Sequence, residues 1–263
     1  MNKKKMSRIF FALAFVFAVA VVIAYFTYQK EDVELRSLKS YIEEESNTDN
    51  TNDVITTVKT QGGEKIQKRY SKIYEKNDDF IGWITIENTI IDYPVMWTPD
   101  NEQKYIYRSF DGEYSGSGSI FASANSSFQP ESDNIILYGH HLNYSSMFTD
   151  LEKYESQEYF EQHKCIQFDT LYQNATYEIV FAGRTQVYSD DYQGFVYWKF
   201  HNAKDKGEFD EYVEQMRAIS SITNDDINIQ YGDKLLTLST CAYHVKNGRF
   251  VVVAKKIESE TVE

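Results

Sequence analysis

Eight short runs rich in Ile, Val, Tyr and Thr, spaced by turn-forming residues, restrict this 263-residue chain to a mainly β fold. Branched and aromatic side chains favour strands because they pack well on a pleated surface. Glycine and proline are sparse and 42% of the residues are hydrophobic, which favours a compact domain over a disordered or fibrous chain. The pattern predicts a barrel or sandwich with strands at residues 81–86, 90–96, 119–122, 134–138, 165–168, 176–187, 234–240 and 250–256.

Helical spacing occurs in two longer segments. Apolar residues at Ile66, Tyr70, Ile73 and Tyr74 follow the i, i+4, i+7, i+8 pattern and predict an amphipathic helix over residues 64–76. A second apolar face, beginning at Phe209, predicts a long helix over residues 205–221. Shorter helices are expected at residues 146–151 and 157–162.

The N-terminus has the pattern of a membrane signal-anchor. Residues 9–26 carry no charge, Thr27 and Tyr28 can extend the run, and a helix of ~20 residues spans a bilayer. Lys3, Lys4, Lys5 and Arg8 precede it, which places the N-terminus in the cytoplasm and the rest outside. A cleaved secretory signal is the alternative, because residues 18–20 resemble a cleavage site, although they lie inside the apolar run. Both interpretations place the remaining chain outside the cytoplasm.

These patterns divide the chain into four parts. They are a basic cytoplasmic tail (1–8), a single transmembrane helix (9–28), a polar extracytoplasmic linker (29–63) and a folded domain (64–263). The net charge of −13 argues against nucleic acid as a partner. Cys165, in an alternating stretch, is expected to be a small buried side chain.

Three reactive side chains stand at the ends of predicted strands. Cys241 follows the strand at 234–240, Arg249 comes eight residues later, and His140 follows the strand at 134–138. A thiol can attack a carbonyl, an imidazole can carry the proton, and a guanidinium can stabilise an oxyanion. Such a set suits acyl transfer. The spacing of Cys241 and the histidines lacks the CxxC or HxxxH patterns of metal sites, so neither a metal nor a cofactor is expected.

At these residues the chain resembles the sortases, and class B most closely. The resemblance covers about residues 64–257 and depends on two motifs. One is the TLxTC signature followed by an arginine, here Thr237-Leu238-Ser239-Thr240-Cys241 with Arg249. The other is a histidine after a strand-ending glycine, Tyr138-Gly139-His140. Class B is further indicated by Gly82-Trp83-Ile84, by Ile91-Asp92-Tyr93-Pro94-Val95, by His141 before Met147-Phe148, and by the long helix that precedes the cysteine strand.

The resemblance implies an eight-stranded sortase-type β-barrel and transpeptidation at a Gram-positive cell surface. It makes Cys241 the nucleophile, His140 the catalytic histidine and Arg249 the catalytic arginine, with Ser239 and Thr240 contacting substrate and His141 structural. The implied partners are surface proteins with a C-terminal sorting signal, cleaved after Thr, and a peptidoglycan amine. One departure is the sequence Ala122-Ser123-Ala124-Asn125 after Gly118-Ser119-Ile120-Phe121, where class B members often have an Asp-Tyr type of sequence.

Two other functions use the same residues differently. A membrane-anchored cysteine peptidase would accept water in place of the amine. A catalytically silent surface-binding module would leave the thiol unreactive. Papain-like enzymes are disfavoured because their cysteine precedes their histidine in the chain.

Overall fold

The computed structural model describes residues 3–48, 55–142, 146–189 and 191–262, and its body is mainly β. All eight predicted strands are present. In chain order the strands are β1 (Thr57–Lys59), β2 (Lys65–Gln67), β3 (Phe80–Thr85), β4 (Asp92–Met96), β5 (Ile120–Ala122), β6 (Asn134–Tyr138), β7 (Cys165–Thr170), β8 (Gln173–Gln186), β9 (Ser220–Thr223), β10 (Leu235–Cys241) and β11 (Gly248–Thr261). The helices are α1 (Lys3–Thr48), α2 (Ser71–Lys76), α3 (Gln157–Gln162) and α4 (Lys206–Ile219).

Eight of the strands close into a barrel. They follow the order β11-β10-β6-β5-β4-β3-β7-β8, and β8 pairs with β11 to close the ring. Among the described residues, closure leaves no long edge strand to recruit another chain. Strand β9, which the sequence pattern did not indicate, adds to the outside of β8. Most neighbours are antiparallel, but β10 runs parallel to β6, so the carboxyl ends of these two strands meet at one rim.

Two hydrophobic clusters stabilise the barrel. The inner cluster fills the barrel and includes Leu236 and Leu238 of β10. The outer cluster lies between the barrel wall and α4, and it includes Leu235 of β10 and Phe209 of α4. Alternate residues of β10 therefore face opposite layers, as the two-residue period of a strand requires.

The prediction of a helix over residues 64–76 is wrong for its first half. Ile66 pairs with Val58 in the β1–β2 hairpin, and the α-helix begins only at Ser71. Helical spacing of four apolar residues arises here from a buried strand residue followed by a 3-10 turn and a short helix. The helix expected at 146–151 is also displaced, since the structure has a 3-10 helix at Thr149–Glu155. The long helix and the helix at 157–162 match the sequence pattern.

The N-terminal segment is one long helix whose second half lies on the barrel. Leu38 is buried, and the side chains of Lys30 and Lys39 form ion pairs with Asp111 and Asp92. The segment predicted as a linker is therefore helical to Thr48 and partly packed. Across the described ranges, no helix combines the length and apolarity needed to cross a bilayer. The transmembrane helix at 9–28 and the domain boundaries remain predictions.

Candidate active site

The β10–β11 hairpin brings Cys241 and Arg249 together. The two residues are direct partners in the antiparallel register, so their side chains leave the sheet on the same face. Side chains at such positions have Cβ atoms about 5 Å apart. Residues 242–247 connect the two strands. At the start of this connection Ala242 N donates to the carbonyl of Gly248 at 3.0 Å, next to the pair.

The parallel pairing of β6 with β10 places His140 beside the cysteine. Tyr138 is in register with Ser239, and Gly139 N donates to the carbonyl of Ser239 at 3.2 Å. Thr240 Oγ1 in turn donates to the carbonyl of Gly139 at 2.7 Å. A Cβ on Gly139 would lie 2.5 Å from Ile120 Cδ1 and 2.7 Å from Phe148 Cδ2, so a side chain here would displace both. The strand ends thus deliver the imidazole and the thiol to one rim of the barrel.

The imidazole of His140 is held by the loop that follows the 3-10 helix at Glu102–Tyr105. Its Nε2 lies 2.7 Å from the carbonyl oxygen of Ile106, and its ring lies against the ring of Tyr107 at 5.4 Å between centroids. Because a carbonyl can only accept, Nε2 must carry the proton of this hydrogen bond. In the neutral imidazole Nδ1 is then the nitrogen that can accept a proton from a thiol.

His141 has a different set of contacts. Its Nδ1 lies 3.0 Å from the carbonyl oxygen of Cys241 and 3.4 Å from a carboxylate oxygen of Glu152. Tyr243 donates its hydroxyl hydrogen to the carbonyl of His141 at 3.0 Å. These contacts hold the imidazole of His141 against the backbone of Cys241.

All three predicted reactive residues line one cleft of about 410 Å³. Ser239 and Thr240 also border it, but both are buried and their hydroxyls are already engaged. Ser239 Oγ lies 2.6 Å from the hydroxyl of Tyr197, and Thr240 binds Gly139. Their contact with substrate remains a prediction. No group of three or more His, Cys, Asp or Glu suited to a metal ion occurs among the described residues.

The structure adds residues to the cleft that the sequence reasoning missed. They are Glu102, Gln103, Ile106, Val187, Tyr197 and Trp198. Tyr197 and Trp198 belong to an aromatic group between β8 and α4. The high density of aromatic residues at 195–200 is the sequence signal that could have identified them. Ile106 contributes a backbone carbonyl, for which no side-chain pattern exists.

Burial raises the pKa of Tyr197 to about 12, although its hydrogen bond with Ser239 and the charge of Arg249 act in the opposite direction. The phenol therefore stays protonated at neutral pH. It can donate to Ser239 or to a group that enters the cleft beside Cys241.

Comparison with known proteins shows the family. The family model of the sortase domain matches residues 84–257. Sortase B of Staphylococcus aureus (strain NCTC 8325 / PS 47) is 30% identical over 226 residues, which cover 84% of this chain and 89% of that protein. Sortase B of Listeria monocytogenes (serovar 1/2a, strain EGD-e) is 28% identical over 209 residues, covering 79% and 80%.

The solved structures give the same result. The Staphylococcus aureus sortase B–substrate complex superimposes with a TM-score of 0.72 at 26% identity, covering 88% of this chain and 97% of that one. A Bacillus anthracis protein described as similar to sortase B has a TM-score of 0.70 at 28% identity, covering 88% and 98%. The chain therefore belongs to the sortase family of cysteine transpeptidases, and within that family to class B.

Proposed function

We propose that this chain is a membrane-anchored transpeptidase that cleaves a C-terminal sorting signal after Thr and transfers the surface protein to a peptidoglycan amine. The observation that carries the proposal is the convergence of Cys241, His140 and Arg249 on one cleft. Two of the three are strand partners, and the third follows the neighbouring parallel strand. The arrangement supplies nucleophile, proton carrier and fixed positive charge.

In the first half-reaction the thiol proton passes to His140 as sulfur attacks the carbonyl carbon of the scissile peptide bond. The carbonyl oxygen becomes an oxyanion, which Arg249 can stabilise with its permanent charge. When the C–N bond breaks, His140 returns the proton to the leaving amine. The product is a thioacyl-enzyme at Cys241, with the C-terminal fragment released.

In the second half-reaction the acceptor amine attacks the thioester carbonyl. His140 takes a proton from the amine and returns it to the departing sulfur, which regenerates the thiol. Relatives support both partners, since solved structures include a sortase B–substrate complex from Staphylococcus aureus and a sortase B complexed with triglycine. The sorting motif and the natural amine of this chain belong to the proposal.

The membrane location is proposed from the sequence. The uncharged run at 9–26 follows a basic cluster, and side chains such as Phe10, Phe15 and Phe17 on α1 are exposed. A domain anchored on the outer side of the membrane suits substrates that are exported through the same membrane.

Peptide turnover tests the proposal. Full-length protein in detergent is incubated with a library of candidate sorting peptides, with and without triglycine, and products are identified by mass spectrometry. We expect cleavage after Thr, an amide-linked triglycine product, and loss of both with Cys241→Ala.

Either of two outcomes would contradict the proposal and favour another function. Free acid as the sole product at saturating amine would favour a peptidase that uses water. Absence of turnover together with slow, unselective alkylation of Cys241 would favour a silent binding module.

A further inference from the structure

We infer that the part of α1 next to the predicted membrane anchor is a positioning element of the active site. It holds the loop at residues 106–119, here called the histidine loop, whose first carbonyl orients His140. The inference rests on the proposed function and adds residues 30 and 31 to those that position the active site.

The first step is that the histidine loop orients the imidazole. Ile106 supplies the carbonyl oxygen that binds His140 Nε2 at 2.7 Å, and the next residue, Tyr107, lies against the ring. A displacement of this carbonyl would release the hydrogen bond that fixes the tautomer. Misplacement of a catalytic group by about 1 Å can cost 10²-fold in rate.

The second step is that the histidine loop is tied to itself and moves as one unit. Ser115 N donates to the carbonyl of Tyr107 at 3.0 Å, and Ser119 N donates to the carbonyl of Tyr105 at 3.0 Å. Gly118 packs so closely that a Cβ would collide with the carbonyl oxygen of Ile106. The returning half of the loop therefore sets the position of the Ile106 carbonyl.

The third step is that α1 binds the histidine loop at two residues, Asp111 and Ser117. Lys30 Nζ lies 2.8 Å from Asp111 Oδ2, and Ser117 Oγ donates to Glu31 Oε2 at 3.0 Å. Ser117 directly precedes Gly118, so only a few bonded or packed contacts separate Glu31 from the imidazole. Leu38, buried about two turns further along, fixes the helix itself on the barrel.

The fourth step is that these polar contacts are not backed by continuous packing. A cavity of about 140 Å³ separates this stretch of α1 from the loop and is bordered by Glu31, Leu35, Phe110 and Gly118. Where apolar packing is incomplete, the polar pairs contribute a larger share of what holds the two elements together. The position of the loop should therefore respond to their removal.

Lys30 lies two residues after the predicted end of the anchor. The same helix that fixes the domain to the membrane thus reaches the catalytic histidine through the histidine loop. The site is fully assembled only when α1 is docked.

The test compares Lys30→Glu and Ser117→Ala with the unmodified full chain in detergent. Two quantities are measured, namely the rate of Cys241 alkylation by iodoacetamide across pH 5–9 and the kcat and KM for a cleaved sorting peptide. We expect kcat to fall about tenfold with KM within about twofold, because His140 is misplaced while the strand residues that border the cleft keep their positions. The pH dependence of Cys241 alkylation should shift in the same variants.

The matched control is Arg36→Glu, a charge reversal on the same helix. Arg36 is largely exposed and pairs with Asp32 within α1. It should behave like the unmodified chain, and Cys165 alkylation should be constant throughout. The inference is wrong if both test variants keep the unmodified alkylation profile and kcat, or if Arg36→Glu reproduces their effect. Alkylation needs no peptide, so it tests α1 even where no sorting peptide is turned over.

Discussion

Gly118 of the histidine loop lies against the carbonyl of Ile106, which binds His140. Its φ is +63°, and a Cβ would collide with the oxygen of Ile106. Gly112, in the same loop, has φ of +82° but open space around the position of a Cβ. A side chain at either position would strain the backbone. Only at Gly118 would it also collide with an atom near the site.

We therefore expect Gly118→Ala to lower kcat by at least about tenfold, because the carbonyl of Ile106 must move away from the imidazole. Gly112→Ala should lose only about 1 kcal/mol of stability and keep its kcat. Peptide cleavage and thermal unfolding of both variants check this. Equal losses of kcat in the two variants would show that loop strain, and not the approach to Ile106, is responsible.

Tyr197 and Ser239 form a hydrogen-bonded pair in the same cleft as Cys241. Both are buried, and their hydroxyl oxygens lie 2.6 Å apart. Tyr197→Phe leaves the hydroxyl of Ser239 without this partner, which should lower the free energy of unfolding by about 1–3 kcal/mol. Chemical denaturation measures the change, with Tyr231→Phe, at an exposed tyrosine, as the control.

The double variant Tyr197→Phe/Ser239→Ala tests whether the two hydroxyls stabilise the protein as a hydrogen-bonded pair. Because removing both partners leaves no unpaired group, its loss should be smaller than the sum of the two single losses. Strict additivity would contradict the pairing.

The residues of the site differ in how far the sequence could predict them. Cys241 and Arg249 stand on either side of a short connection between two strong strand patterns, so their proximity follows from hairpin register. His140 could be placed at a strand end but not beside the thiol, since that depends on the parallel pairing of β6 with β10. The carbonyl of Ile106 and the hydroxyl of Tyr197 reach the cleft through irregular segments, which leave no periodic signal.

At the scale of elements, strands were predictable where an apolar run was bounded by polar residues or glycine. β6 matches its predicted bounds because its buried apolar run follows Glu131-Ser132-Asp133 and ends before Gly139. β9 was missed because its four residues, Ser220–Thr223, follow α4 without a break and pair only on the outside of β8. Cys165 was expected to be buried but is exposed, because it opens β7 on the face opposite Ile166.

The docking of α1 on the barrel should weaken as pH rises. Burial, with Asp111 and Glu31 adding to it, raises the pKa of Glu34 to about 7, while Lys30 acts to lower it. Since the docked helix binds this proton more readily than an undocked one, the contribution of Glu34 is complete below the ordinary carboxyl pKa and is lost as pH rises through about 7.

Hydrogen exchange of residues 30–44, corrected for intrinsic rates, measures this effect. We expect protection to fall severalfold between pH 5.5 and pH 8 in the unmodified chain and to change less in Glu34→Gln, which stays neutral. Amides of β10 serve as the internal reference. Identical pH dependence in the two proteins would mean that Glu34 does not control docking.

At the scale of the whole molecule, orientation decides whether the cleft can meet exported substrates and cell-wall amines. The proposed topology puts residues 1–8 in the cytoplasm and everything after residue 28 outside. The chain carries its own reporter, because Cys165 is exposed on the barrel and Cys241 is the other cysteine.

In intact cells that produce Cys241→Ala, a membrane-impermeant maleimide should label Cys165 before lysis. In Lys4→Cys/Cys165→Ala/Cys241→Ala the single thiol lies in the basic tail and should be labelled only after the membrane is permeabilised. The mass of the protein labelled at Cys165 distinguishes an uncleaved anchor from a cleaved signal, because cleavage near Ala20 would shorten the chain. Cleavage would also remove the tail of the second variant together with its label. Labelling of Cys165 only after lysis would place the catalytic cleft on the wrong side of the membrane for cell-wall anchoring, whatever its chemistry.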